Sequence, residues 1–320
     1  MNGILGLDLA KGSFESLVIK ADGQRQTEQF ANNRQGYEQL QDWMLKQGVE
    51  QVHACMEATN IYWEELAYYL VEQGHQVSVV NPAQIKGFAQ SQLQRSKTDK
   101  QDSQVIAEFC AQTKPAVWQP PTANQRQLRA WVRHRDALVK TRTQQLNRLD
   151  SCPDELVRSS LQSLIATLEQ QIAAMQSQID ALIAQTPELQ VAYGLLLSIK
   201  GLGPTTVIKL LAEFYDLAAY SSARAAAADA GLTPAHHQSG TSVYRRPRMS
   251  KIGKRAVRAA LYWPAITAIR YNPLVKELAD RLRAKGKANK VIIGAAMRKL
   301  MHLAYGVLKN QTPFDPAYAH

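Results

Sequence analysis

The sequence predicts an α/β unit followed by a mainly α-helical chain, and three observations carry that reading. Short aliphatic strands fill the opening stretch and then alternate with helical patterns as far as about Gln112. Heptad-spaced apolar residues run through the middle of the chain. Apolar helical stretches divided by glycine turns occupy the last third.

Ile4–Ala10 and Phe14–Lys20 read as strands, and Ala21-Asp22-Gly23-Gln24 is a hairpin turn signal leading to a third, Arg25–Phe30. Tyr37, Leu40, Trp43, Met44 and Leu45 give a helical stripe. Gln51–Glu57 is a strand, Ile61–Gln73 a helix stopped by Gly74, and Gln76–Val80 another strand closed by Asn81-Pro82. Helices follow over 83–92 and from about Asp99 to Gln112. Three strands followed by this alternation predict parallel strands after the meander, with acids at the strand ends facing one crevice.

Pro115, Pro120 and Pro121 mark a boundary, and the expected domains are 1–118, 119–187 and 188–320. In the middle region Leu128, Val132, Val139, Leu146 and Leu149 form one apolar stripe. After Ser151-Cys152-Pro153 a cleaner one follows: Leu161, Ile165, Leu168, Ile172, Met175, Ile179 and Leu182. Alternating steps of four and three are the coiled-coil spacing, so the two helices fold as an antiparallel hairpin or pair between subunits. The first is basic on its outside, with Arg126, Arg129, Arg133, Arg135, Lys140, Arg142 and Arg148. That is a solvated face or a phosphate-facing surface.

From Leu195 to Leu211 the chain resembles a helix-hairpin-helix, with Gly201 and Gly203 in the turn and the next helix offering its N-terminal amides to a phosphate. A glycine turn between two core helices is the plainer alternative. Val207 stands where such motifs carry a small residue. Residues 230–243 are rich in glycine and hydroxyls and read as a loop, with His236 and His237 too isolated for a metal pair. Arg245, Arg246, Arg248, Lys251, Lys254, Arg255 and Arg258 follow with no acid between them. A hydroxyl beside glycine and ahead of clustered arginines is well placed to meet a phosphodiester. A last basic amphipathic region spans Lys276–Lys309.

The 38 Lys and Arg against 27 Asp and Glu leave a net charge of +11, which favours a polyanionic partner, most simply nucleic acid. Cys55, Cys110 and Cys152 are too few and scattered for a disulfide framework or a zinc site. No long uncharged apolar stretch predicts a membrane span, and no basic-then-apolar leader opens the chain, so a cytoplasmic protein is expected.

Four acids stand out: Asp8 inside the first apolar run, Glu57 ending another, and Asp99 and Asp102 opening a helix. Singly, an acid in a strand is a rim residue and one in a first helical turn complements the helix dipole. Asp8 is the least ordinary, because a buried carboxylate is costly unless paired or metal-bound. Jointly they are the kind of cluster that paired divalent cations, roughly 3.5–4 Å apart, require, and hard cations prefer such oxygen ligands.

As a set, Leu7-Asp8-Leu9-Ala10-Lys11, Met56-Glu57-Ala58-Thr59, Val80-Asn81-Pro82, Lys97-Thr98-Asp99-Lys100-Gln101-Asp102, Gly231-Leu232-Thr233-Pro234, Gln238-Ser239-Gly240 and Arg248-Met249-Ser250-Lys251-Ile252-Gly253 span nearly the whole chain. In this order they resemble the DEDD transposases of bacterial insertion sequences, the group that includes pilin-gene invertases and bridge-RNA-guided recombinases. The resemblance implies a ribonuclease-H-like, resolvase-like N-terminal domain, coiled-coil helices and a mainly helical transposase domain. It implies that Asp8, Glu57, Asp99 and Asp102 hold magnesium, two ions, with manganese as a substitute. It implies further that Ser239 attacks DNA and becomes covalently linked to it. Donor and target DNA and a structured guide RNA are the implied partners. Asn60 and Ser103 depart from the glycine and alanine usual at those positions.

The expected activity is thus strand cutting and rejoining through a phosphoserine link, in a homodimer or homotetramer that takes its acids from one subunit and Ser239 from another. The basic contacts to nucleic acid are expected at Gly201, Gly203, Arg245, Arg246, Arg248, Lys251, Lys254 and Arg255. Two other readings remain. An actin-like sugar kinase or ATPase also places an aspartate on its first strand, but this chain has no glycine-rich phosphate loop. A junction-resolving nuclease would use water and leave Ser239 idle.

Overall fold

The computed structural model describes the backbone of residues 3–92, 99–239 and 243–318, with the side chains of 99–100, 236–239, 243–247 and 318 left outside the description. The chain divides into two units, Met1–Pro120 and Pro121–His320.

The first unit is built on a five-stranded sheet in the order β3-β2-β1-β4-β5. Its strands are β1 (Gly3–Leu9), β2 (Ser13–Lys20), β3 (Arg25–Ala31), β4 (Val52–Glu57) and β5 (Gln76–Val80). The first three form an antiparallel meander, turned at Gly23 with φ +85°, and β4 and β5 run parallel to β1. Alternation sorts the faces. Leu5, Leu7, Phe14, Val18, Ala54 and Met56 pack with α1 (Arg34–Lys46) and α2 (Glu64–Glu72). On the other face Cys55 packs with Ile106 and Cys110 of α4 (Asp99–Thr113) and with Ile85 of α3 (Pro82–Ser91). Local sequence sets the helix starts: Asn33 accepts from the Gly36 amide at 3.0 Å, and Asn81 forms a capping box with Gln84 ahead of Pro82.

One glycine decides how closely α4 approaches the sheet. A Cβ on Gly6 would lie 2.3 Å from the Ser103 carbonyl oxygen and 2.5 Å from the Ala107 amide nitrogen, both backbone atoms. Gly6→Ala therefore has to lever α4 away from β1, and about 1–3 kcal/mol of destabilisation is expected. The check is the urea unfolding midpoint of the full-length protein. An unchanged midpoint would show that α4 is not held where the structure places it.

The second unit opens with two long helices, α5 (Ala123–Asp150) and α6 (Glu155–Gln185), capped by Thr122 and Asp154. They run antiparallel: Arg158 donates to the Leu149 carbonyl, Arg142 pairs with Glu169, and Asn124 meets Thr186 at the other end. The apolar stripe of α6 is largely buried at Leu161, Ile165, Leu168, Ile179 and Leu182, whereas Leu146 of α5 is exposed. The base of this hairpin shares one core with α7 (Pro187–Leu197), α8 (Pro204–Glu213), α9 (Ala223–Asp229), α10 (Arg255–Tyr271), α11 (Pro273–Ala284) and α12 (Asn289–Asn310). α12 is long and apolar enough to cross a membrane, but half of that window is buried in this core, through residues such as Ile292, Met297, Leu300 and Met301.

The expected polar loop near residue 239 is instead an antiparallel ribbon of β6 (Pro234–Ser239) and β7 (Val243–Met249), with a register shift between Ala235 and His237. The ribbon is held by backbone pairing, and its sequence has no alternating apolar run. Its composition therefore carries no strong strand signal.

Candidate active site

Asp8 and Glu57 reach the same edge of the sheet for a simple reason of register. β1 and β4 are parallel neighbours, Leu7 pairs with Met56, and the two acids are each the next residue along. They therefore share a face, the one opposite Leu7 and Met56. That is the face covered by α4, because Gly6, two residues before Asp8, lies against Ser103 and Ala107.

The direction of α4 brings its first turn to the acids. Cys110 donates to the His53 carbonyl at 3.7 Å, at the level of Ile4, while Ser103 lies at the level of Gly6. The helix thus runs against β1. Going back from Ser103 to Asp99 gains about 6 Å, and going on from Gly6 to Asp8 gains about 6–7 Å. The start of α4, with Asp99 and Asp102, accordingly stands over the strand ends that carry Asp8 and Glu57. The side chain of Asp99 lies outside the described residues. Among the described residues no group of three or more acids, histidines or cysteines is close enough together to hold an ion.

Sequence reasoning missed one carboxylate here. Glu15 of β2 is the cross-strand partner of Asp8 and is 9% exposed. Direct cross-strand partners project on one face, so Glu15 stands beside Asp8 on the α4 side. Its only sequence signal is an acid inside an aliphatic run, the same signal that singles out Asp8.

Both departures from the family pattern have a local account. Asn60 has φ +57°, in the left-handed region that glycine occupies freely and asparagine tolerates better than other residues. Its carbonyl accepts from the Trp63 indole at 3.1 Å, and Thr59 donates to Glu57 at 3.3 Å. Ser103 is fully buried, at the point where α4 meets Gly6. Below the acids, the hydrogen bond that Cys55 donates to Cys110 and then burial push the Cys55 thiol up, so it stays protonated in the core.

In the second unit Ser239 is the last residue of β6, in register with Val243. Its side chain and residues 240–242 lie outside the description, as do the side chains of His236, His237, Arg245 and Arg246. Arg248, Lys251 and Arg255 are exposed. Lys254 is not a free phosphate contact: it pairs with Asp229 at 2.5 Å and lies over the Phe214 ring. Tyr220 donates to the same carboxylate at 2.6 Å, and burial followed by that hydrogen bond pushes its hydroxyl up. Arg258 is likewise used internally, donating to the carbonyls of Ala230 and Gly253.

The turn after α7 is partly a packing device. Gly201 has φ +106°, and a Cβ there would stand 2.7 Å from the Ala268 Cβ of α10. Asn272 ties the turn down by donating to the Lys200 carbonyl at 3.0 Å. Gly203, Pro204 and Thr205 are exposed at the start of α8, and Val207 is fully buried.

The phosphate-facing reading of α5 needs correcting. Arg133 makes a two-pronged bond to Glu213 at 2.9 and 3.0 Å, and Arg135 is 3% exposed, bonded to Gln176 and Asp136. Arg129 donates to the Tyr215 hydroxyl and Arg142 pairs with Glu169. These guanidinium groups hold α5 to α6, α8 and the segment after α8; Arg126, Lys140 and Arg148 of the set are exposed.

Residues 5–157 match the DEDD model of the IS110 group, described as a transposase, and residues 193–280 match the model described as transposase IS116/IS110/IS902 family. The chain is 36% identical to the pilin gene-inverting protein of Moraxella bovis over 97% of each chain, and to that of Moraxella lacunata to the same extent. It is 27% identical to an uncharacterized 42 kDa protein of insertion element IS900 from Mycobacterium paratuberculosis, over 58% of this chain and 47% of that one. These matches define the class: an enzyme of DNA recombination, a transposase or invertase. The chain belongs to the IS110 family of transposases.

Proposed function

We propose that this enzyme cuts and rejoins DNA under the direction of a guide RNA, through a covalent phosphoserine link at Ser239. The observation that supports the reading is the parallel register of β1 and β4, which brings Asp8 and Glu57 to one edge of the first unit's sheet on the face that α4 covers. The strand order, an antiparallel meander extended by two parallel strands, supports a ribonuclease-H-like fold for that unit.

The donor set fits a hard divalent cation, since Asp8, Glu57, Asp99 and Asp102 offer only carboxylate oxygens. Magnesium or manganese held there would polarise a phosphodiester and offset the charge developing on it. Ser239 Oγ attacks phosphorus, so one Oγ–P bond forms as one P–O bond of the DNA breaks. The serine proton is lost, and the departing oxygen leaves as a free hydroxyl. The phosphodiester count is conserved, and the strand is resealed without a nucleotide cofactor. Arg245, Arg246 and Arg248, with Lys251 and Arg255 nearby, hold the DNA backbone rather than read bases. The exposed start of α8 at Gly203 offers backbone amides to a further phosphate. Acids from one subunit and Ser239 from another make each site of a homodimer or homotetramer, which works in the cytoplasm on donor and target DNA.

The reading is tested by expressing the gene with its flanking DNA and purifying the protein. One discrete RNA species is expected to accompany it, with binding that weakens steeply as salt is raised. Full recombination by RNA-free protein would remove the guide from the mechanism.

A further inference from the structure

The outer face of α10 carries more apolar surface than a solvated helix needs. Trp263 is 73% exposed and Tyr271 67%, while Val257, Leu261, Ala265 and Ala268 on the opposite face are fully buried. The core is therefore complete without the indole. Tyr262 meets Trp263 edge-on, with ring centroids 5.5 Å apart at 84°. A helical side chain leans over the residues three and four positions before it, and for Trp263 those are Ala260 and Ala259. Methyl groups cannot cover an indole, so the outer ring face stays open.

Charge decides what fits this surface. α10 contains Arg255, Arg258 and Arg270 and no Asp or Glu. Arg258 is spent on the carbonyls of Ala230 and Gly253. Arg255 and Arg270 are exposed and form no ion pair among the described residues. Arg270 lies seven residues after Trp263, two turns along nearly the same line of the helix. A flat open ring flanked by unpaired guanidinium groups matches a ligand with planar rings on a polyanionic backbone. Duplex nucleic acid hides its base faces; unpaired nucleotides present them.

We infer that the outer face of α10 is a stacking platform for unpaired nucleotides, with Trp263 as the platform and Arg255 and Arg270 as backbone contacts. The inference rests on the proposed function only in taking nucleic acid as the partner, and it adds the strand state that this face receives. It explains an aromatic residue that the fold leaves in water and that the chemistry at Ser239 does not use.

The test measures binding of a labelled oligo(dT) and of a duplex of equal length to the full-length protein. Trp263→Ala is expected to weaken oligo(dT) binding by about 5- to 150-fold, the range for loss of one base stack. Duplex affinity and the salt slope should be unchanged, because no phosphate contact is removed. Trp263→Phe should keep most of the oligo(dT) affinity. Arg255→Ala and Arg270→Ala should weaken both ligands and lower the salt slope by about one each. Unchanged oligo(dT) binding by Trp263→Ala overturns the platform, as does an equal loss on both ligands. Dissociation of an oligomer by Trp263→Ala, with oligo(dT) affinity intact, also overturns it and assigns the face to a protein contact. Covalent adduct formation on Ser239 is read on the same preparations. Normal adducts with untouched oligo(dT) binding sink the platform alone, whereas selective loss of oligo(dT) binding in a protein that never forms adducts sinks the phosphoserine reading alone.

Discussion

Ser239→Ala protein is expected to bind nucleic acid like the wild type and to form no covalent protein–DNA adduct, with strand cutting reduced at least about 10³-fold. The substitution removes one hydroxyl at the end of β6, a strand held by its backbone pairing to β7, so the ribbon has no reason to come apart. Denaturing electrophoresis of labelled DNA gives the readout, and mass spectrometry of trapped wild-type complexes should place the nucleotide on Ser239. Adducts on Thr241 or Ser242 would show that the nucleophile is a neighbouring hydroxyl. Undiminished nicking by Ser239→Ala would favour a nuclease that uses water.

Asp8→Ala should leave the protein folded and lower strand cleavage by about 10²–10³-fold or more, the scale for removing one group that stabilises transition-state charge. Crowding supplies a second, independent readout. Asp8 is the cross-strand partner of Glu15 and lies one residue beyond the Leu7–Met56 pair that precedes Glu57. Three carboxylates on adjoining strands repel one another when no cation is present. The unfolding midpoints of wild type and Asp8→Ala are compared in a chelator and in magnesium. Magnesium should raise the wild-type midpoint and leave the variant's nearly unmoved, since a ligand stabilises only the state that binds it. Wild-type cleavage rates in Asp8→Ala would remove this residue from the site, and an equal magnesium shift in both proteins would place the ion elsewhere.

Much of the molecule is written locally. β1, β2, β4 and β5 are aliphatic runs broken at turn residues, and the caps at Asn33, Asn81, Thr122 and Asp154 sit directly before the helices they start. Local signals suffice there because a strand face or a helix cap is decided by residues within one turn or one pleat. The acids at Asp8 and Glu57 are legible for the same reason, as single charges in or at the end of otherwise apolar strands.

Other features depend on partners far away in the chain. The basic face of α5 reads as a solvated face or a surface for phosphate until Arg133 finds Glu213 and Arg135 finds Gln176, 80 and 41 residues on. Glu15 becomes a neighbour of Asp8 only through the register of β1 on β2. The β6–β7 ribbon forms in a polar stretch whose period carries no apolar face. Likewise nothing local tells which aromatic residues of α10 the core will use. Composition and period marked most of the elements and the candidate acids Asp8 and Glu57; pairing register and side-chain contacts across 40 or more residues decided which charges are spent inside. A local pattern specifies a residue's own conformation and the face it occupies, whereas a hydrogen-bond partner or a covering side chain exists only once distant segments have met.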